Sequence, residues 1–196
     1  MYSAVGLPTK QELSAYREIL EIWHSREHFD CYVRMLGQRI PTESLWGNPF
    51  KFVREAMTLN SYAELTKEVA ALRLGGDPPD GWLRLDSGEE IPVEITEALD
   101  AGRKRGDEYR RERASKVEHV AEQELESRIQ MIESQLEQAI SNKAGKYEPN
   151  PALLVYLNVG DSGRAQERVE AAIARQKAKY TASFNGIYVI WKGKVY

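Results

Sequence analysis

The sequence predicts a mixed α/β fold, and three patterns carry that prediction. Apolar residues recur at helical spacing through roughly the first 75 positions. Apolar and polar residues alternate over Gly81–Leu85 and again over Ile91–Ala98. Leu153–Val159 (LLVYLNV) is an unbroken apolar run of strand length, the pattern of a strand covered on both faces. Helices that alternate with apolar strands bury their stripes against a central mixed sheet, with helices on its faces.

The elements follow in order. Thr9 is an N-cap before a helix over Gln11–Glu27, with Leu13, Tyr16, Leu20 and Trp23 on one face. A second helix covers Phe29–Leu36 and stops at Gly37 and Pro41. Trp46-Gly47-Asn48-Pro49 is a turn, and helices follow over Lys51–Leu59 and Tyr62–Leu74 until Gly75-Gly76. The strands Gly81–Leu85 and Ile91–Ala98 flank Ser87-Gly88-Glu89 and read as a hairpin. Helix resumes near Asp100 and runs to about Asn142, with Val117, Ala121, Leu125, Ile129, Ile132, Leu136 and Ile140 as one stripe. That stripe can dock on the sheet, or pair with a second copy as a homodimer through the long helix at 109–142. After the buried strand come a loop at Gly160–Gly163, a helix over Arg164–Lys179, and strands Ile187–Trp191 and Val195–Tyr196. Residues 1–60 are a helical extension packed on a core formed by residues 61–196.

Composition narrows the function classes. The 196 residues suit one domain with a real core, and 42% hydrophobic with 29% charged residues are those of a globular chain. One cysteine, Cys31, excludes an internal disulfide and a multi-cysteine zinc site within one chain. No run approaches the ~18–20 apolar residues that cross a bilayer, and the start lacks signal-peptide character. The expectation is a cytoplasmic protein with no membrane partner. The net charge of −3 does not announce a polyanion binder. Locally, Asp100–Lys116 carries seven basic against four acidic residues, and Arg164–Tyr196 seven against two. Such stretches can follow a phosphate backbone, although a solvated helix face is the commoner meaning. No GxGxxG or GxxxxGKS/T occurs, which argues against an ordinary nucleotide cradle.

The segment that points to chemistry is Pro79-Asp80-Gly81 with Val93-Glu94-Ile95-Thr96. Alternation puts Glu94 and Thr96 on one strand face and Val93 and Ile95 on the other. A hairpin sets neighbouring strands ~5 Å apart, so Asp80 and Glu94 can share a cation that removes their mutual repulsion. Glu68, bordering the apolar face of the preceding helix, can reach toward the same ion. Each carboxylate also has a plain structural reading, as a turn former, a solvent-facing strand residue or a snorkelling side chain.

A helix bearing a glutamate, then P-D, then a hairpin strand bearing E-x-K, then a helix and an apolar strand: this arrangement over residues 60–196 resembles the PD-(D/E)XK nuclease superfamily. The matching residues are Glu68, Pro79-Asp80 and Glu94-Ile95-Thr96. The resemblance implies a restriction-endonuclease-like α/β core and metal-dependent cleavage of DNA or RNA phosphodiesters. It implies Mg2+ or Mn2+ held by Asp80, Glu94 and the Ile95 carbonyl, with Glu68 as auxiliary ligand. The chain departs from the pattern at Thr96, where the family has a lysine that orients water and offsets phosphate charge. Lys104 is the preferred replacement, and Arg84 and Arg103 are neighbouring cations. The alternative implied by this departure is a non-catalytic nucleic-acid-binding or protein-assembly module.

Other signals are weaker. His24 and His28 stand four apart, a zinc-compatible spacing, but not as HExxH. Cys31 has no catalytic partner in view and reads as a buried structural thiol. Asn158, Asp161 and Ser162 end the buried strand, where α/β proteins place ligands, and a tight turn explains them equally. The aromatics Tyr180, Phe184, Tyr188, Trp191 and Tyr196 read as cover for the sheet.

Overall fold

The computed structural model describes residues 7–42, 44–76, 78–99, 122–147, 150–158 and 165–196. The chain is mixed α/β, with five α-helices and seven strands among these residues. Backbone proximity divides the described residues into two compact units, one within residues 7–91 and the other within residues 92–196. Residue 60, where the sequence suggests a boundary, lies inside a helix of the first unit.

In the first unit, α1 (Lys10–Leu20) opens with a reciprocal cap: Thr9 Oγ1 accepts from Glu12 N–H while the Glu12 carboxylate accepts from Thr9 N–H. The predicted helix over Gln11–Glu27 stops early. His24 Nε2 is 2.7 Å from the Ile19 carbonyl, and Ser25 caps a new helix, α2 (Arg26–Arg39), by accepting from His28 N–H. His24–Ser25 forms the short strand β1. A 3-10 turn at Asn48–Phe50 leads into α3 (Lys51–Thr66).

The two helices expected over Lys51–Leu59 and Tyr62–Leu74 are instead one helix and one strand, β2 (Val69–Leu74). Asn60 and Ser61 do not break α3: the Asn60 amide donates to Asp30 Oδ1, and Ser61 Oγ donates to the Met57 carbonyl. The helix ends at Lys67, whose φ of 62° is left-handed. β2 pairs antiparallel with β1 and with β3 (Gly81–Leu85), setting Leu72 opposite Leu83 and Arg73 opposite Trp82. Val69, Leu72, Leu74 and Leu83 are buried, and Phe29, Leu36, Val53, Ala56 and Leu59 of α2 and α3 belong to the same unit's buried set. The turn after β3 closes with Leu85 N–H donating to the Glu89 carbonyl. There β4 (Glu90–Leu99) begins in the first unit and continues into the second.

In the second unit, β4 runs parallel to β5 (Ala152–Asn158), β5 parallel to β6 (Gly186–Trp191), and β6 antiparallel to β7 (Lys194–Val195). The parallel pairs require crossovers. These contain α4 (Glu122–Ser141) and α5 (Gln166–Tyr180). One core joins Ile129, Ile132, Leu136 and Ile140 of α4 with Val169, Ala172 and Ile173 of α5, and with Leu153, Val155, Leu157, Val189 and Trp191 of the strands. The described part of the long apolar stripe is thus buried inside the unit rather than offered to a second copy. Expectations for Val117 and Ala121, and for the Leu125 side chain, lie outside what is described. The apolar run in β5 is only partly double-sided: Leu154 is fully buried, whereas Tyr156 on the same face is 37% exposed.

Candidate functional site

Asp80 is positioned by the turn between β2 and β3. Gly75 N–H donates to the Asp80 carbonyl at 3.0 Å. A side chain at residue 75 is excluded, because its Cβ would stand 2.0 Å from the Pro79 carbonyl oxygen. At Gly81 a Cβ would lie 3.0 Å from Leu59 Cδ2, so α3 approaches the strand at this glycine. Glu55 and Lys51 lie one and two turns before Leu59 on α3. The turn therefore delivers Asp80 to the helix.

The result is a triad of charges within the first unit. Lys51 Nζ is 2.9 Å from Glu55 Oε1 and 3.5 Å from Asp80 Oδ1. Asp80 is 4% exposed. Glu55 is within hydrogen-bond reach of Asp80, and its carboxyl is pushed above the usual range, first by burial and further by the Asp80 charge, with Lys51 opposing. A carboxyl whose proton affinity is raised by a second carboxylate beside it makes a hard-oxygen donor set under electrostatic tension. A divalent cation relieves that tension, and Mg2+ is commonly held by one or two carboxylates with several retained waters. The donor set fits such an ion. Among the described residues no cluster of three or more histidine, cysteine, aspartate or glutamate side chains stands together.

A second charged cluster belongs to the second unit. Glu94, 1% exposed, sits in β4 opposite Leu153. Lys143 Nζ donates to Glu94 Oε2 at 2.5 Å. The Tyr147 hydroxyl is hydrogen-bonded to Glu94 as well; burial pushes the phenol up and Glu94 adds to this, while Lys143 opposes it. Lys143 is held by the C-terminal turn of α4, where its own N–H and that of Ala144 return to the Ile140 carbonyl. Ile140 is fully buried, so the turn carrying the lysine is anchored in the core.

The remaining predicted site residues are placed as follows. Glu68 is exposed in the link between α3 and β2, where its carbonyl accepts from Asp86 N–H at 3.0 Å. It is not helical, because α3 ends before it. The helical carboxylate beside Asp80 is Glu55. Thr96 and Ile95 are half-buried in β4, and Glu94 shares burial with Val93 rather than only opposing it. Lys104, Arg103 and the basic stretch over residues 103–116 lie outside the described residues. Arg84 is bound to Glu90 at 2.7 Å and stacks over Trp23, so it is committed elsewhere.

Several of the weaker signals are altered by the structure. His24 and His28 fall in different elements, which removes their helical spacing. Cys31 is exposed. Asp161 and Ser162 are outside the described residues. The basic C-terminal helix is largely neutralised: Arg168, Arg175 and Lys179 pair with Glu126, Glu133 and Glu137 of α4 at 2.9, 2.8 and 2.6 Å. No described helix is long and apolar enough to cross a membrane.

Sequence reasoning missed Lys51, Glu55, Lys143 and Tyr147. For Glu55 a signal existed, since it is a carboxylate flanked by Phe52, Val53, Ala56 and Leu59 on an apolar helical stretch. Lys143 had none, because its partner is 49 residues away. No family model matches the chain, and comparison with curated proteins and solved structures found no match.

Proposed function

We propose that the chain is a magnesium-dependent phosphodiesterase acting on nucleic acid, or a protein derived from one, on a restriction-endonuclease-like version of the α/β fold. The observation that carries this reading is the Glu55–Asp80 carboxylate pair around Lys51. Asp80 and Glu55 would hold the cation, which when bound supplies Lewis-acid polarisation and a more acidic water. Separately, for the second unit by itself, the sequence resemblance gives Glu94 and the Ile95 carbonyl a metal-binding role. Lys143, beside Glu94, carries the positive charge that the resemblance gives to a lysine where Thr96 stands. That ammonium can orient water and offset charge developing on a phosphoryl oxygen.

A second reading has its own support. Both buried carboxylates already carry an ammonium partner, Lys51 on Asp80 and Lys143 on Glu94, and Thr96 lacks the charge of the family lysine. This favours a nucleic-acid-binding or assembly module on a fold whose chemistry has lapsed.

Calorimetric titration of Mg2+ and Mn2+ separates the two, followed by incubation with single- and double-stranded DNA and RNA. For the phosphodiesterase, Asp80→Asn and Glu55→Gln abolish metal binding and cleavage together. Lys143→Met preserves metal binding and lowers cleavage by roughly 100-fold, the scale of one lost general acid–base or electrostatic group. A wild type that binds neither ion leaves the module reading.

A further inference from the structure

The first unit carries a second constellation that neither carboxylate cluster uses. Arg73 in β2 lies opposite Trp82 in β3, with its guanidinium carbon 5.3 Å from the Trp82 ring centroid and 5.2 Å from that of Trp23. The Arg84 guanidinium stands 4.1 Å from the other partner of this stack, Trp23. Two indoles and two guanidiniums therefore form one layer, all half-buried. Along β2 and β3 they alternate with Leu72, Leu74 and Leu83, which are buried, so the layer belongs to the opposite sheet face.

The two arginines differ. Arg84 is satisfied by a forked pair of bonds to Glu90 Oε1 at 3.0 and 2.7 Å. Arg73 has no carboxylate or carbonyl acceptor among the described residues, and its Nε is buried without a hydrogen-bond partner. Holding one guanidinium donor away from water without an acceptor is costly, and an anion at the remaining donors offsets part of that cost. The guanidinium's place over two indole rings restrains it, so less side-chain entropy is lost on binding.

We infer that the Trp23–Arg73–Trp82–Arg84 layer is a binding platform for single-stranded nucleic acid, with Arg73 taking a backbone phosphate and the indoles flanking bases. Charge complementarity and π-surface favour this occupant, since every base offers a face and every linkage an anion. The choice of ligand rests on the nucleic-acid reading above, but the site is independent of the carboxylates.

The test is fluorescence anisotropy of labelled oligo(dT) and oligo(U) with the full chain in EDTA, where no cleavage intervenes. Wild type binds both, and more weakly as salt rises. Arg73→Gln weakens binding by roughly tenfold and lowers the slope of log affinity against log salt by about 0.7, one phosphate contact on a single strand. Trp82→Leu weakens it by a similar factor through lost stacking. Arg168→Gln, which removes an equal charge that Glu126 already holds, leaves binding unchanged. EDTA removes divalent ions, so the binding read here does not depend on the carboxylate pair, and failure of the metal reading is distinguishable from failure of this one. Circular dichroism checks folding of each variant; if Arg73→Gln does not fold, Arg73→Lys replaces it, with a several-fold loss expected because the fork and the stacking plane are gone. The inference is overturned if wild type binds neither strand, if a folded Arg73 variant binds as wild type, or if duplex binds as well as single strand.

Discussion

Glu55 has the clearest physical signature of any single residue in the chain. Its raised pKa means that burial and the Asp80 charge favour the protonated form. A carboxyl with a raised folded value contributes its full share below its unfolded pKa and loses it as pH rises through the folded one. In EDTA at neutral pH, Glu55→Gln, which copies the protonated form, is expected to stabilise the protein, with the gain shrinking as pH falls. Thermal melts across pH read this directly, and a destabilised Gln variant at neutral pH would contradict it. Glu12 has the opposite sign. Its carboxylate accepts from Thr9 N–H and pairs with Arg39, which lowers its pKa from 4.5 to about 2. Its contribution is present above 4.5 and lost as pH falls toward 2. The melting difference between wild type and Glu12→Gln is expected to close over that window. Thr9 was legible as a cap from its residue type and place; the Arg39 partner was not, because it comes from another helix.

Among the elements, β2 and α4 show how local pattern and tertiary partner divide the decision. Val69-Ala70-Ala71-Leu72-Arg73-Leu74 contains good helix formers and reads as a continuation of α3. It is a strand because β1 and β3 satisfy its backbone on both sides, with a bulge between Val69 and Ala71 absorbing the extra residue. Propensity differences of a few tenths of a kcal/mol per residue cannot resist such a ladder. For α4, the stripe at steps of three and four was legible, but not its partner. Its described anchors are buried against α5 and β5. Leu136→Ala is expected to cost about 2–5 kcal/mol, seen as a lowered midpoint in urea unfolding. The ion pairs that join α4 to α5 are exposed, so Glu133→Ala should cost under ~1 kcal/mol, and less at high salt.

For the molecule as a whole, a cation that binds only the folded chain stabilises it by mass action. Mg2+ at about one hundred times its dissociation constant adds about 2.7 kcal/mol to unfolding. Wild type is therefore expected to melt later with Mg2+ than in EDTA, and Asp80→Asn to melt equally in both. Equal melting of the wild type would remove the cation from the proposal. The net charge of −3 sets the background, since no excess of positive charge draws polyanions to the chain at large. Whatever nucleic-acid affinity exists must come from local groups. The three cations of α5 that pair with α4 are already neutralised by their glutamates.

Sequence alone determined the α/β class, because helical and alternating periodicities are local consequences of side-chain direction. It also determined the β3 strand and its following turn, the buried strand β5 and the capped start of α1, and it singled out Asp80 and Glu94 as carboxylates worth explaining, though not their burial. Tertiary structure decided what those carboxylates touch. Asp80 meets Glu55 and Lys51 because Gly75 and Gly81 let a turn and a helix approach closely, and Glu94 meets Lys143 because a buried Ile140 anchors the turn after α4. Residues 25–29 positions apart in one case and 49 in the other have no shared period, so nothing in the local pattern links them. Ion pairing over such separations is set by the packing of whole elements, and only the folded chain fixes it.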